Sequence, residues 1–259
     1  VYWKKIVQND EILFDIPLRD LNSWRVGGVA DQFYFCTDKE KLSYNLQKRN
    51  FKLPIMFIGL GSNTLFRDGG FRGTIIAMHK GIPGTLGGAL AMNAGCYGSE
   101  TWDFVDKVLT IDQNGIEHLR KKEEFDIAYR HVENKKNPQE FFIAAWLEFQ
   151  QGNKEKAELD IKKLLEKRKL TQPLNWPTAG STFRNPDGHF AAKLIEESGL
   201  KGYQIGGAQV SEKHANFIIN KGNACASDIE NLITYIKAEV LKQTKIKLET
   251  EIRIIGEKN

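Results

Sequence analysis

Glycine dominates the stretch Gly81-Ile82-Pro83-Gly84-Thr85-Leu86-Gly87-Gly88-Ala89, which runs on to Asn93-Ala94-Gly95. A backbone without Cβ atoms turns tightly and brings bare amides up to an anion, and a helix starting at Thr85 would add its positive end. The anion such a nest most often holds is a phosphate or diphosphate. Glycine content alone fits a closely packed buried turn equally well. A second loop, Gly59-Leu60-Gly61-Ser62-Asn63, follows the apolar run Ile55–Ile58, at the end of a strand where α/β folds commonly place ligands. It lacks the lysine of a P-loop and the third glycine and following helix of a dinucleotide fingerprint, so neither nucleotide motif fits.

Four side chains have chemistry to offer. Ser181, in Ala179-Gly180-Ser181-Thr182-Phe183, is suited to capping a turn or to passing a proton; with no Gly-x-Ser-x-Gly elbow around it, a hydrolase nucleophile is not expected. Arg130, in Tyr129-Arg130-His131, lies in a surface turn or offers a planar fork to a carboxylate. Glu251 is solvated, or is an acid/base group if its face of the last strand lines a cavity. His214 lies amid apolar residues with no second ligand at a convincing spacing, so a core histidine is the plainer reading and no metal is expected.

The elements that must position these groups follow from periodicity and punctuation. Asp31 to Cys36 reads as a strand, and Thr37-Asp38-Lys39-Glu40 has capping-box spacing before a helix with Leu42 and Leu46 on one face. Ile55–Ile58 and Phe71–Ile76 read as further strands. Val105 to Asp112 and Ile116 to Leu119 flank Asn114-Gly115, which predicts a hairpin, and Glu140 to Phe149 predicts another strand. A helix over 154–169 carries Ala157, Ile161, Leu164 and Leu165 on an expected buried stripe. Pro173 to Pro177 looks like a domain boundary. Beyond it come a helix from about Phe190 to Gly199, a strand His214–Asn220, and a helix capped by Ser227-Asp228-Ile229-Glu230 with Ile229, Leu232, Ile233, Ile236 and Val240 inward. A last strand alternates Leu248, Thr250, Ile252 and Ile254 against Glu249, Glu251 and Arg253.

At 259 residues, with 41% hydrophobic and 27% charged residues, the chain fits a globular enzyme of one large domain or two to three modest ones. Three scattered cysteines argue against a disulfide framework and against zinc. A net charge of +4 with scattered basic residues gives little support to nucleic-acid binding. No transmembrane run or signal-peptide pattern stands out, so no membrane association and a cytoplasmic location are expected.

Taken together and in order, the motifs resemble the UDP-N-acetylenolpyruvoylglucosamine reductase family. They are Asn22-Ser23-Trp24-Arg25-Val26-Gly27-Gly28, Gly59 to Asn63, Gly81 to Gly88 with Met92-Asn93-Ala94-Gly95, Tyr129-Arg130, Ala179 to Phe183, Gly206-Gly207-Ala208-Gln209-Val210-Ser211, and Glu251-Ile252-Arg253-Ile254-Ile255-Gly256. The resemblance implies an α+β fold: a two-lobed FAD-binding domain of the vanillyl-alcohol oxidase type plus a smaller α+β substrate domain. The lobes would be 1–78 and 81–172 with 249–259, and the substrate domain 173–248. It implies NADPH-dependent, FAD-mediated reduction of UDP-N-acetylglucosamine enolpyruvate to UDP-N-acetylmuramate for peptidoglycan synthesis, by a monomer of the subgroup lacking an extra substrate-capping loop. The roles implied are catalytic for Ser181 (proton donor), Glu251 and Arg130, and substrate-binding for Tyr129, Asn185 and His214. Cofactor binding would fall to Gly59, Leu60, Gly61, Ser62, Asn63, Gly81, Ile82, Pro83, Gly84, Thr85, Gly87, Gly88, Ala89, Asn93 and Gly95.

Two departures stand out. Arg184 replaces the family's usual lysine, keeping the charge but changing its geometry. Between Met78 and Gly81 the family has a further supersecondary unit the size of a βαβ element, about 30 residues or more, and here nothing intervenes. A true deletion of core strands would leave unpaired edges and exposed apolar faces, which favours residues missing from the sequence shown over a shortened protein. A disabled flavin- or UDP-sugar-binding protein and a related FAD-dependent oxidase are the alternatives.

Overall fold

The computed structural model describes residues 10–78 and 85–259, so the expectations placed on Gly81, Ile82, Pro83, Gly84 and the Lys80–Gly81 junction lie outside the described residues. Helices and strands mix in an α+β arrangement. The α-helices are Lys39–Gln47 (α1), Leu86–Ala91 (α2), Lys154–Thr171 (α3), Ala191–Glu197 (α4) and Ala226–Thr244 (α5). The chain divides into two compact units, the first comprising residues up to Ile16, Ala30–Leu60 and Arg72–Gln150, and the second Pro17–Val29, Gly61–Phe71 and Gln151–Asn259.

In the first unit a four-stranded sheet runs in the order Ile12–Pro17, Val29–Cys36, Phe71–Met78, Ile55–Ile58, with the last two strands parallel. α1 covers it because Leu42 and Leu46 recur at i and i+4 and are buried with Tyr34, Ile76 and Ile111. Its N-cap is Asp38, one residue beyond the expected start: the carboxylate accepts the amides of Glu40 at 2.8 Å and Lys41 at 3.1 Å. The hairpin expected from Asn114-Gly115 forms, pairing Val105–Ile111 with Glu117–Lys121. Gly115 turns it at φ 75°. Phe141–Leu147 adds a third strand, and Trp102, buried with Phe125 and Val108, ties α2 beneath it by donating its indole N–H to Leu90 O at 2.9 Å.

In the second unit α5 packs against a small antiparallel sheet of Gln204–Ile205, Ala208–Val210 and Ile218–Asn220. Its expected inward residues, Ile229, Leu232, Ile233, Ile236 and Val240, are all buried. The expected strand from His214 shortens to Ile218–Asn220, with 214–217 forming a turn. The last strand shortens likewise to Arg253–Ile255, parallel to Thr64–Phe66, because Thr250 makes only an isolated bridge to Phe183.

α3 corrects one expectation. Ile161 and Leu165 are 56% and 59% exposed, Ala157 is exposed and Leu164 only half-buried. Apolar spacing marks a helix face that seeks a partner, and none of the described residues buries this one.

Candidate functional site

Ser181 lies in a short extended segment, Ser181–Phe183, that bridges to Phe217 on one side and Thr250 on the other. The chain reaches it through Gly180, whose φ of 80° suits a residue without Cβ. Asn216, buried within the run His214-Ala215-Asn216-Phe217, locks the segment: its carbonyl accepts the Thr182 amide at 2.8 Å, its Oδ1 accepts the Phe183 amide at 2.9 Å, and its Nδ2 donates to Phe183 O at 2.8 Å. Those amides are satisfied by Asn216, so the half-buried Ser181 is not needed as a turn cap for them. Asn216 escaped the sequence reading, although a polar residue inside an apolar run is the signal for it.

The opposite edge brings in Glu251. Its amide donates to Thr182 O at 2.9 Å, and the Arg184 amide donates to Glu249 O at 2.9 Å. Glu251 is half-buried while Glu249 and Arg253 are exposed, so of the charged residues expected on that polar face, Glu251 is the one drawn inward. Asn63 stitches the second glycine loop to this edge: its Nδ2 donates to Glu251 O at 3.1 Å, and its carbonyl accepts the Arg253 amide at 3.0 Å. Ser62 is exposed beside it. His214 sets its ring edge-on to Phe217, with centroids 4.7 Å apart. Burial pushes its pKa down, toward the neutral imidazole. Asn185 uses its Oδ1 to accept the Ala191 amide at 3.0 Å, holding the start of α4.

Arg130 belongs to the other unit. It occupies the tight turn between the antiparallel strands Phe125–Ala128 and His131–Asn134, at φ 55°. Its guanidinium, 14% exposed, donates to Asn93 O at 3.2 Å and Gly95 O at 2.8 Å and stands 3.7 Å from Glu100. The Tyr129 ring lies 4.8 Å beneath it, a cation–π contact. Asn93 is buried at φ 45°; its amide donates to Glu100 at 2.6 Å and to Ala128 O at 3.3 Å, and its Oδ1 accepts the Trp102 amide at 3.1 Å. Asn93 and Gly95 thus hold the arginine turn, and Glu100 is a neighbour the sequence reading did not single out.

The glycines divide by what a Cβ would meet. At Gly59 it would lie 2.3 Å from the Thr85 hydroxyl, and at Gly61 2.0 Å from Leu21 O, so the protein's own packing demands both. Gly87 differs: among the described residues its Cβ would meet only Phe142 O, at an ordinary 3.5 Å. Thr85 caps α2 by accepting the Gly88 amide at 3.1 Å, and Ala89 donates back to Thr85 O at 3.0 Å. Leu60 is half-buried in the first unit, as are Gly87, Gly88 and Ala89.

A family model for the C-terminal domain of UDP-N-acetylenolpyruvoylglucosamine reductase matches residues 172–255. The UDP-N-acetylenolpyruvoylglucosamine reductase of Legionella pneumophila (strain Corby) is 45% identical over 289 residues, covering 96% of this chain and 93% of the relative. That of Methylococcus capsulatus is 43% identical over 281 residues, covering 93% of this chain and 92% of its own. The crystal structure of the Thermus caldophilus reductase matches with a TM-score of 0.80 at 26% identity, covering 95% of this chain and 98% of that one. The 289 positions aligned with the Legionella protein outnumber the 259 residues of this chain, so that relative carries internal residues with no counterpart here.

Proposed function

Because the chain belongs to the UDP-N-acetylenolpyruvoylglucosamine reductase family, we propose that it is the oxidoreductase reducing UDP-N-acetylglucosamine enolpyruvate to UDP-N-acetylmuramate, with NADPH and FAD, in peptidoglycan precursor synthesis. It would act in the cytoplasm, as a monomer. The observation that carries the reading is the adjacency of Ser181 and Glu251 on neighbouring backbone segments, with the Asn63 loop bonded to the same edge.

The residues present fit FAD at one telling point. Close packing accounts for Gly59 and Gly61, but among the described residues nothing crowds Gly87, where a Cβ would make only ordinary contact. A ligand backbone approaching the amides of Leu86 and Gly87 supplies the missing reason. FAD, when bound, supplies the hydride drawn from NADPH.

The chain's own residues do the rest. Arg130, oriented by the carbonyls of Asn93 and Gly95, turns its fork to the substrate carboxylate and stabilises the negative charge that builds there as the double bond is reduced. Ser181 delivers a proton to the adjacent carbon, and Glu251 helps hold the charged intermediate. Neutral His214, Tyr129 and Asn185 complete the substrate contacts.

The domain reading that accompanies this function has FAD-binding lobes at 1–78 and at 81–172 with 249–259, of the vanillyl-alcohol oxidase type, and a substrate domain at 173–248. A second reading is a protein disabled by loss of a segment at Lys80–Gly81, in keeping with the internal residues that the Legionella relative carries and this chain lacks. Two measurements decide. The purified protein should show a flavin spectrum and oxidise NADPH only when the UDP-enolpyruvyl substrate is present; a colourless protein that cannot be reconstituted with FAD defeats the main reading. An intact mass of 29.5 kDa with no turnover would favour the disabled one.

A further inference from the structure

Arg25 is a non-glycine residue held in the left-handed region, at φ 60°. Such residues are uncommon, and they persist where the surroundings over-determine the backbone. Every neighbour is pinned. Asn22, buried, donates to Leu18 O at 2.7 Å and Val26 O at 2.8 Å and accepts the Trp24 amide at 3.1 Å. Trp24, fully buried, donates its indole N–H to Ile218 O at 2.8 Å, and its carbonyl accepts Asn220 Nδ2 at 2.9 Å. A Cβ on Gly27 would lie 2.8 Å from Phe66, and one on Gly28 2.2 Å from Asp68 O.

Only Arg25 is turned outward: it is exposed between buried Trp24 and buried Val26. Among the described residues no carboxylate pairs with its guanidinium. Glycine or asparagine would take this backbone with less strain. The loop also lies directly against the second glycine loop, since the Ser23 amide donates to Gly61 O at 3.2 Å and Gly61 is glycine because Leu21 O stands where its Cβ would be. A long, exposed cation at a strained position, on a loop bonded to Gly61 through Ser23, suits one class of ligand.

We propose that Arg25 is a ligand-binding residue whose guanidinium receives a nucleotide diphosphate alongside the Gly61–Asn63 loop. The inference rests on the nucleotide-dependent function proposed above. It adds a residue outside the catalytic group, and the diphosphate belongs to the flavin nucleotide, the nicotinamide nucleotide or the uridine nucleotide.

The test is calorimetric titration of the intact protein and of Arg25→Gly and Arg25→Lys with FAD, NADPH and UDP, alongside thermal unfolding. Arg25→Gly should weaken at least one of the three by tenfold or more while leaving Tm unchanged or raised, because glycine adopts the same φ without strain. Arg25→Lys should fall between, keeping the charge but losing the fork. The weakened ligand identifies the source of the diphosphate. Affinities within twofold of the parent for all three would overturn the proposal and leave the reductase reading standing. A lowered Tm with parallel loss of all three would make Arg25 a structural residue and overturn it as well. A parent protein that binds none of the three would end both.

Discussion

The amide of Glu251 donates to the carbonyl of Thr182 at 2.9 Å, so the segment carrying Ser181 and the segment carrying Glu251 are fixed side by side by backbone atoms alone. Side-chain changes at either position should therefore leave the other in place. Ser181→Ala should lower kcat by about 10²–10⁴, the range for losing a positioned proton donor, while NADPH still reduces the flavin at the parent rate. Stopped-flow measurement of the two half-reactions checks this; a kcat within threefold of the parent removes Ser181 from the proton path.

Arg130 is aimed by two carbonyls that match a planar fork. A lysine keeps the charge but cannot span both acceptors while presenting a second edge to a carboxylate. Arg130→Lys should raise KM for the enolpyruvyl substrate and lower kcat, with KM for NADPH nearly unchanged. Equal effects on both KM values would point instead to a collapsed turn.

Burial lowers the His214 pKa in the folded state, so the unfolded chain binds the proton more readily. By linkage this contribution is fully present above the unfolded value, about 6.5, and is lost as pH falls through the folded pKa. Denaturant titrations between pH 7.5 and about 5 should show stability declining toward acid, with a shallower decline in His214→Asn. Identical slopes in the two proteins would refute the assignment.

Glu140 is almost fully buried and accepts from both Arg120 nitrogens, from the Thr110 hydroxyl at 2.6 Å and from Asn134 at 2.8 Å. Removing the cation leaves a buried carboxylate without its charge partner. Arg120→Met should cost about 3–5 kcal/mol, and adding Glu140→Gln to it should recover part of that loss. Chemical denaturation of the single and double variants reads both numbers.

The contrast between α3 and α5 makes a paired test. Leu165→Lys, on the exposed stripe of α3, should change stability by no more than about 0.5 kcal/mol, whereas Ile236→Ala, fully buried in α5, should cost about 2–5 kcal/mol. A large loss at Leu165 would mean that something covers the stripe.

Local punctuation made much of the scaffold legible: the Asn114-Gly115 hairpin, α5 with its five inward apolar residues, and the C′ glycine Gly199 after α4, at φ 72°. What sequence did not reveal is tertiary. The same periodicity that buries α5 leaves α3 exposed, because spacing describes a face and not its partner. The strands expected over His214–Asn220 and Leu248–Ile254 are cut short because isolated bridges to Ser181–Phe183 replace full ladders. For the site, an ordered set of motifs pointed to Ser181 and Glu251, but no spacing rule could show that distant segments share an edge. Asn216 was missed because its role is to hold backbone rather than touch a ligand.

The contact between Gly59 and Thr85 bears on how variants at this site are interpreted. Any side chain at Gly59 would strike the hydroxyl that caps α2, since a Cβ there falls 2.3 Å from it. A Gly59 variant that loses its yellow colour would thus be scored as a flavin-contact mutant even if the primary injury were an unwound helix start. Thr85→Ala, which removes that hydroxyl and makes room for the Cβ, is the matched control: pigment restored in the double variant would trace the defect to the clash with Thr85 rather than to a lost flavin contact.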